Sequence, residues 1–186
     1  ARHIGGRMAY DVKKAARKAV LSCSSAVVVR ALVQHASDKH ADPYVTQEVG
    51  QVLSEIANGS ATEPLAAGLR SESLPVIAGC AEALATIGSR ESAEALLNSS
   101  ARGVEDEAII LDGISRLSSP EALPSLLQAS GSSVSLDRLR AVASALSNYA
   151  TNASAVAALQ DLAARTSDPA ISDLVKSLPN RSDETR

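Results

Sequence analysis

Phenylalanine and tryptophan are absent from this chain, and three tyrosines are its whole aromatic content. Its core must therefore be built from Ala, Leu, Val and Ile, and a surface that holds single-stranded nucleic acid by aromatic stacking is not expected. Long apolar runs are missing too: none approaches the roughly 18 to 20 residues that cross a bilayer, so no membrane span is expected. The motifs of common chemistries are absent as well. There is no G-x-S-x-G, no phosphate-binding Gly-Lys-Ser/Thr loop, no G-x-G-x-x-G, no H-E-x-x-H and no paired-cysteine motif. No catalytic residue and no cofactor site is therefore assigned. The first residues, Ala1-Arg-His-Ile-Gly-Gly, contain neither an initiator Met nor a signal-peptide core, and read as a processed end or a piece of a longer protein.

What the chain does have is a period. In Val76-Ile-Ala-Gly-Cys-Ala-Glu-Ala-Leu-Ala-Thr-Ile-Gly88, residues Val76, Cys80, Ala83, Leu84 and Ile87 fall on one side of a helix of 3.6 residues per turn. Gly88 is placed to close that helix in the left-handed conformation, and Ser89 to cap the next. The same apolar pair, three residues apart, returns at Val20/Cys23, Leu53/Ile56, Leu84/Ile87, Ile114/Leu117, Leu146/Tyr149 and Val175/Leu178, with steps of 33, 31, 30, 32 and 29 residues. A second apolar landmark tends to follow across the turn, at Leu32, Leu65, Leu96, Leu126 and Ala158 beside Leu159. Two helices per period of this length predict an all-α fold, an α-solenoid of about five to six stacked hairpins. Residues 1–186 are expected to form one repeat domain, with 1–7 and 180–186 disordered.

Val76 to Gly88 resembles the second helix of the short HEAT-like repeats of the phycocyanobilin lyase group, whose pattern runs V-R-x-A-A-x-A-L-x-x-I-G. Val12-Lys-Lys-Ala-Ala-Arg-Lys-Ala-Val20 looks like the same element with lysine for arginine. The copies around Ile114 and Leu146 keep the apolar spacing and lose much of the consensus. The resemblance implies a fold and supplies no catalytic residues. Deoxyhypusine hydroxylase has this repeat type and binds iron through His-Glu pairs, but this chain contains no His-Glu dipeptide.

The spacing predicts helices over 8–21, 26–37, 43–58, 63–70, 74–87, 91–100, 104–118, 121–130, 136–149, 155–165 and 170–178. Val27-Val28-Val29 is strand-like alone, but the periodicity on both sides overrides that local propensity. In the helix from Pro43, residues Val45, Val49, Val52, Leu53 and Ile56 are expected to face inward. The cysteines, Cys23 and Cys80, are expected to be buried free thiols two repeats apart, beyond disulfide reach. Free thiols fit a reducing, cytoplasmic setting.

The net charge of −3 is unevenly placed: residues 1–40 carry eight Lys/Arg against two acids, and the remainder ten against nineteen. No continuous basic groove for a nucleic acid is expected. All three histidines precede residue 41, and His35, Asp38, His40 and Asp42 form the one donor cluster of zinc-like composition. The competing reading of that cluster is a polar loop in which Asp42 caps a helix that begins at Pro43.

Together these features predict a non-enzymatic interaction scaffold that binds a partner segment along the concave face lined by the second helix of each pair. The partner is another protein or another part of the parent chain. The outward positions of those helices nominate Gln51, Glu55, Glu82, Asp112, Arg116, Ser144 and Asn148 as partner-binding residues. The alternatives are an enzyme accessory or lyase-like subunit, or a metal site at His35 and His40.

Overall fold

In the computed structural model the described residues are 14–178, apart from 24, 39 and 133. The first six residues of the expected segment 8–21 lie outside them, as do the termini 1–7 and 180–186. Among the described residues there is no strand. The helices are α1 (residues 14–22), α2 (Ala26–Ala36), α3 (Pro43–Ser54), α4 (Thr62–Gly68), α5 (Leu74–Ile87), α6 (Arg90–Leu97), α7 (Val104–Ser115), α8 (Leu123–Ser130), α9 (Leu136–Ser147), α10 (Ala153–Thr166) and α11 (Pro169–Ser177). The fold is an α-solenoid of helical hairpins, and among the described residues no helix is long and apolar enough to cross a membrane.

Each hairpin is set by short-range chemistry at its turns. Ser25, Asp42, Ser89, Ser135, Asn152 and Asp168 cap α2, α3, α6, α9, α10 and α11 through side-chain oxygens that accept from backbone N–H groups in the first turn. Proline opens α3 and α11, where its missing N–H has no helical partner to lose. Gly88 closes α5 with φ +60°, and a Cβ there would also run into Ser119. Before α4 and α8 the chain makes 3₁₀ turns, Gly59–Ala61 and Pro120–Ala122, which explains how Pro124 fits into the first turn of α8.

The chain divides into two compact units, the first ending at Ala83 and the second starting at Leu84, so the division falls within α5. The first unit buries Val29 and Val33 of α2, Val49 and Leu53 of α3, Ile56, Leu65, and Val76, Ile77 and Cys80 of α5. Its helices approach very closely. A Cβ on Gly50 would collide with the Pro75 carbonyl, one on Gly79 with the Gly50 carbonyl, and one on Gly68 with the Cys80 thiol, with Val33 next at 3.3 Å. Glycine is required at Gly50 and Gly79 because backbone already occupies the space, and at Gly68 a larger residue would have to displace the Cys80 thiol.

In the second unit α7, α9 and α11 lie side by side in one layer and α6, α8 and α10 in the other. Leu96, Ile110, Ile114, Leu117, Leu126, Leu146, Leu159 and Leu162 are fully buried between the layers. The repeat landmarks Leu53, Leu84, Ile114 and Leu146 are each 0% exposed, so the sequence period matches the packing period in both units.

Three expectations about side chains need correction. Cys23 is exposed, not buried, because α1 stops at residue 22 and Cys23 falls in the turn beyond it; its partner in the sequence pattern, Val20, is half-buried. Val45 is exposed and Thr46 is buried in its place, because α3 begins at Pro43 and its first turn directs residue 46 inward. In α2 the inward positions are Val29 and Val33, which leaves Leu32 half-buried at the side of that face.

Candidate functional site

The outward residues of the second-type helices are mostly exposed, as their spacing requires. In the first unit these are Gln51 and Glu55 at the end of α3 and Glu82 on α5. Glu55 is held by Arg17 of α1, whose Nε donates to Oε2 at 3.1 Å and whose Nη2 donates to Oε1. The bonded guanidinium holds the Glu55 carboxyl below the usual carboxylate range, and the same bond raises Arg17. An exposed pair of this kind contributes about 0–1 kcal/mol.

In the second unit the ladder is cross-linked to itself. Arg116, the residue that ends α7, meets Asp112 of that helix at 2.9 Å. Asn148 donates its amide N–H groups to the carbonyls of Ser115 and Leu117 at 3.3 and 3.1 Å, satisfying groups at the end of α7 that the helix leaves unpaired. Ser144 is half-buried between these rungs. Arg140, one turn earlier on α9, bridges Asp137 at 2.9 Å and Asp168 at 2.7 Å. The Asp168 carboxyl is held low, first by Arg140 and also by the Ile171 N–H it accepts from as the cap of α11. These contacts make a polar surface able to exchange hydrogen bonds with a peptide. They assemble no nucleophile beside a base.

The histidine cluster does not converge. Asp38 accepts from the His40 N–H at 2.8 Å, and Asp42 accepts from Tyr44 N and Val45 N at 2.8 and 3.4 Å as the cap of α3. Among the described residues no group of three or more His, Cys, Asp or Glu side chains is placed to hold a metal ion. Cys80 sits among apolar side chains, and burial pushes its thiol up to about 12, so it remains protonated and unreactive.

Residues 29–109 match the family model of HEAT repeats. The chain carries HEAT-like repeats. No curated protein matches it. The matched HEAT segment runs from α2 into α7, and the hairpins α8–α9 and α10–α11 lie beyond it while keeping the same alternation of layers. The match establishes the repeat type and does not extend to the phycocyanobilin lyase group in particular.

One feature of these HEAT hairpins escaped the sequence reading. A groove of about 370 Å³ opens between α6 and α8 and the loop after α8, with Leu97, Asn98, Gln128, Ala129 and Val134 among its walls. It exists because α6 and α8 are only 8 residues each and the side chains facing between them at Ala129 and Ser125 are small. The sequence signal was Ser130-Gly-Ser-Ser-Val-Ser135, the longest flexible-looking stretch inside the array, where Val134 is an apolar residue with no place in the repeat pattern.

Proposed function

We propose that this HEAT-repeat chain is a non-enzymatic interaction scaffold, binding a segment of another protein or of its own parent chain along the second-helix faces. Gln51, Glu55 and Glu82 serve this role in the first unit, and Asp112, Arg116, Ser144 and Asn148 in the second. The observation that carries the reading is the division of labour within each helix. Leu53, Leu84, Ile114 and Leu146 fill the core while the neighbouring outward positions are polar and, apart from half-buried Ser144, open to solvent. HEAT repeats are commonly protein-interaction scaffolds, and repeat arrays offer an extended surface that suits an extended partner. The whole chain acts as one repeat domain in this reading, and its two unpaired thiols suit a reducing, cytoplasmic setting.

The partner contacted by the first unit is neutral or basic. A pull-down from native lysate with mass spectrometry identifies it, and titration of the purified pair then tests the surface. Reversing Glu55 and Glu82 to lysine is expected to weaken binding at low salt without unfolding the array, and raising the salt to a physiological level is expected to weaken the unaltered pair. Binding indifferent to both changes would refute the assignment of this face.

A further inference from the structure

Three large apolar side chains of the second unit are exposed, and all three belong to one edge: Val104 at 88%, Val134 at 39% and Leu136 at 42%. Val104 and Leu136 are the opening residues of α7 and α9. These two first turns are neighbours, because Arg138 of α9 donates to Glu107 of α7 at 2.9 and 3.1 Å and to the Ser99 carbonyl just ahead of α7 at 2.6 Å. Val134, two residues before Leu136, is also a wall of the groove between α6 and α8. The edge thus joins an apolar rim to a cavity whose volume falls in the range of ligand sites, roughly 300–1,000 Å³.

Its charge is biased. Asp106 is taken by Arg102 and Glu107 by Arg138, while Asp137 and Asp168 share the single guanidinium of Arg140. Glu105, next to Val104, is held by no ion pair among the described residues. The bias is negative beside Val104 and Leu136, while in the groove Arg90 and Glu94 pair with each other at 2.8 Å and leave no net charge. In the groove, Asn98 and Gln128 bring carboxamides, which can both donate to and accept from a peptide backbone, next to the apolar walls Leu97, Ala129 and Val134.

We infer that this edge docks an extended, basic peptide segment, a surface separate from the second-helix ladder. One aliphatic side chain enters the groove against Leu97, Ala129 and Val134. A second lies on Val104 and Leu136, and a lysine or arginine between them meets Glu105. The geometry sets a repeat in the partner: neighbouring helices lie about 8–10 Å apart, and three residues of polyproline II chain, which bring the side chain back to the same face, span roughly 9 Å, so aliphatic side chains three apart match the rungs.

The test uses the whole chain, labelled with ¹⁵N, and three synthetic nonapeptides: Lys-Leu-Ser repeated three times, Glu-Leu-Ser repeated three times and Lys-Ser-Ser repeated three times. The Lys-Leu-Ser peptide is expected to shift the amide signals of Asn98, Gln128, Val134 and Leu136, and to bind at least about tenfold more tightly than either control. Val134→Asp and, separately, Val104→Asp should each weaken it by about tenfold or more. Both residues are exposed, so the melting temperatures should hold, and Gln128→Ala serves as a third variant if either does not fold. Equal binding of the three peptides, no binding at millimolar peptide, no effect of the variants, or shifts confined to Asp112, Arg116, Ser144 and Asn148 would each overturn the inference. Glu55 and Glu82 reversals leave this edge untouched, so its outcome is read independently of the ladder.

Discussion

The two units share a core chemistry and differ in how successive repeats are fastened. In the first unit the helices meet through missing side chains: Gly50, Gly68 and Gly79 let α3, α4 and α5 approach until backbone and side chain fill the gap. Its long-range polar contacts include Arg17 with Glu55, Arg30 with Glu63, and the Ser37 hydroxyl donating to Ser71 at 2.7 Å. In the second unit long side chains reach across to carbonyls of the preceding helix pair. Arg138 donates to Leu97 and Ser99, Asn148 to Ser115 and Leu117, the Tyr149 hydroxyl to Ser119, and Arg165 to Ser130. The HEAT family match covers most of the glycine-packed unit and only the start of the second. The two units therefore show two ways of fastening hairpins: close packing at glycines in the first, and side chains that satisfy helix ends in the second.

The sharpest way to break this contrast is to restore a side chain at a glycine crossing. Gly79→Val should destabilise the first unit by more than about 3 kcal/mol, since overpacking here drives a branched side chain into the Gly50 carbonyl and not into a movable neighbour. Gly131→Ala in the second unit is the matched control. Its nearest neighbour lies at 3.6 Å and its φ is −83°, so urea unfolding should show little loss or a gain of about 0.4–1 kcal/mol.

Next in size is the arginine clasp. Arg138→Ala should cost about 2–3 kcal/mol, because Glu107 and two carbonyls lose a charged donor in a half-buried site. Arg138→Lys should recover only part of this, since an ammonium cannot reproduce the guanidinium fork. A loss below about 0.5 kcal/mol would mean that the side-chain clasps are incidental to the stacking.

The pH dependence should separate the units by what terminates them. Asp168, buried at the start of α11, is held below the usual carboxylate range by Arg140 and by the Ile171 N–H. A carboxyl lowered on folding contributes stability that is fully present above its unfolded value, near 4, and lost as pH falls through the folded value. Acid should therefore loosen the α9–α11 contact, and Asp168→Asn should flatten that part of the acid limb in a far-ultraviolet circular dichroism titration. The smallest effect is expected at Arg17→Ala, about 0–1 kcal/mol, because the Glu55 pair lies at the surface.

Much of the fold was legible because helix period, caps and breakers agree with one another. Val76 to Gly88 carried its own start, apolar face and left-handed end, and Asp42 with Pro43 announced α3. The agreement weakened where a residue sat at a helix end, since a boundary error of one or two residues changes which side a residue faces. That is why Cys23 and Val45 turned out exposed. The candidate face was legible as a set of outward positions, but its pairing was not: that Arg17 reaches Glu55 or Asn148 reaches Ser115 depends on the register between helices some thirty residues apart. The edge groove was illegible for the same reason, since it arises from what two short helices leave unfilled.

The central claim is that matched and unmatched repeats share one core pattern, so that the same position carries the same weight on both sides of residue 109. Urea unfolding of Leu53→Ala, Leu84→Ala, Ile114→Ala and Leu146→Ala tests it most directly. Each of these side chains is fully buried, and each variant should lose about 2–5 kcal/mol from lost burial and a residual cavity. Losses of that size at Leu53 and Leu84 with less than about 1 kcal/mol at Ile114 and Leu146 would contradict the account, and would mean that the repeat does not continue through the second unit.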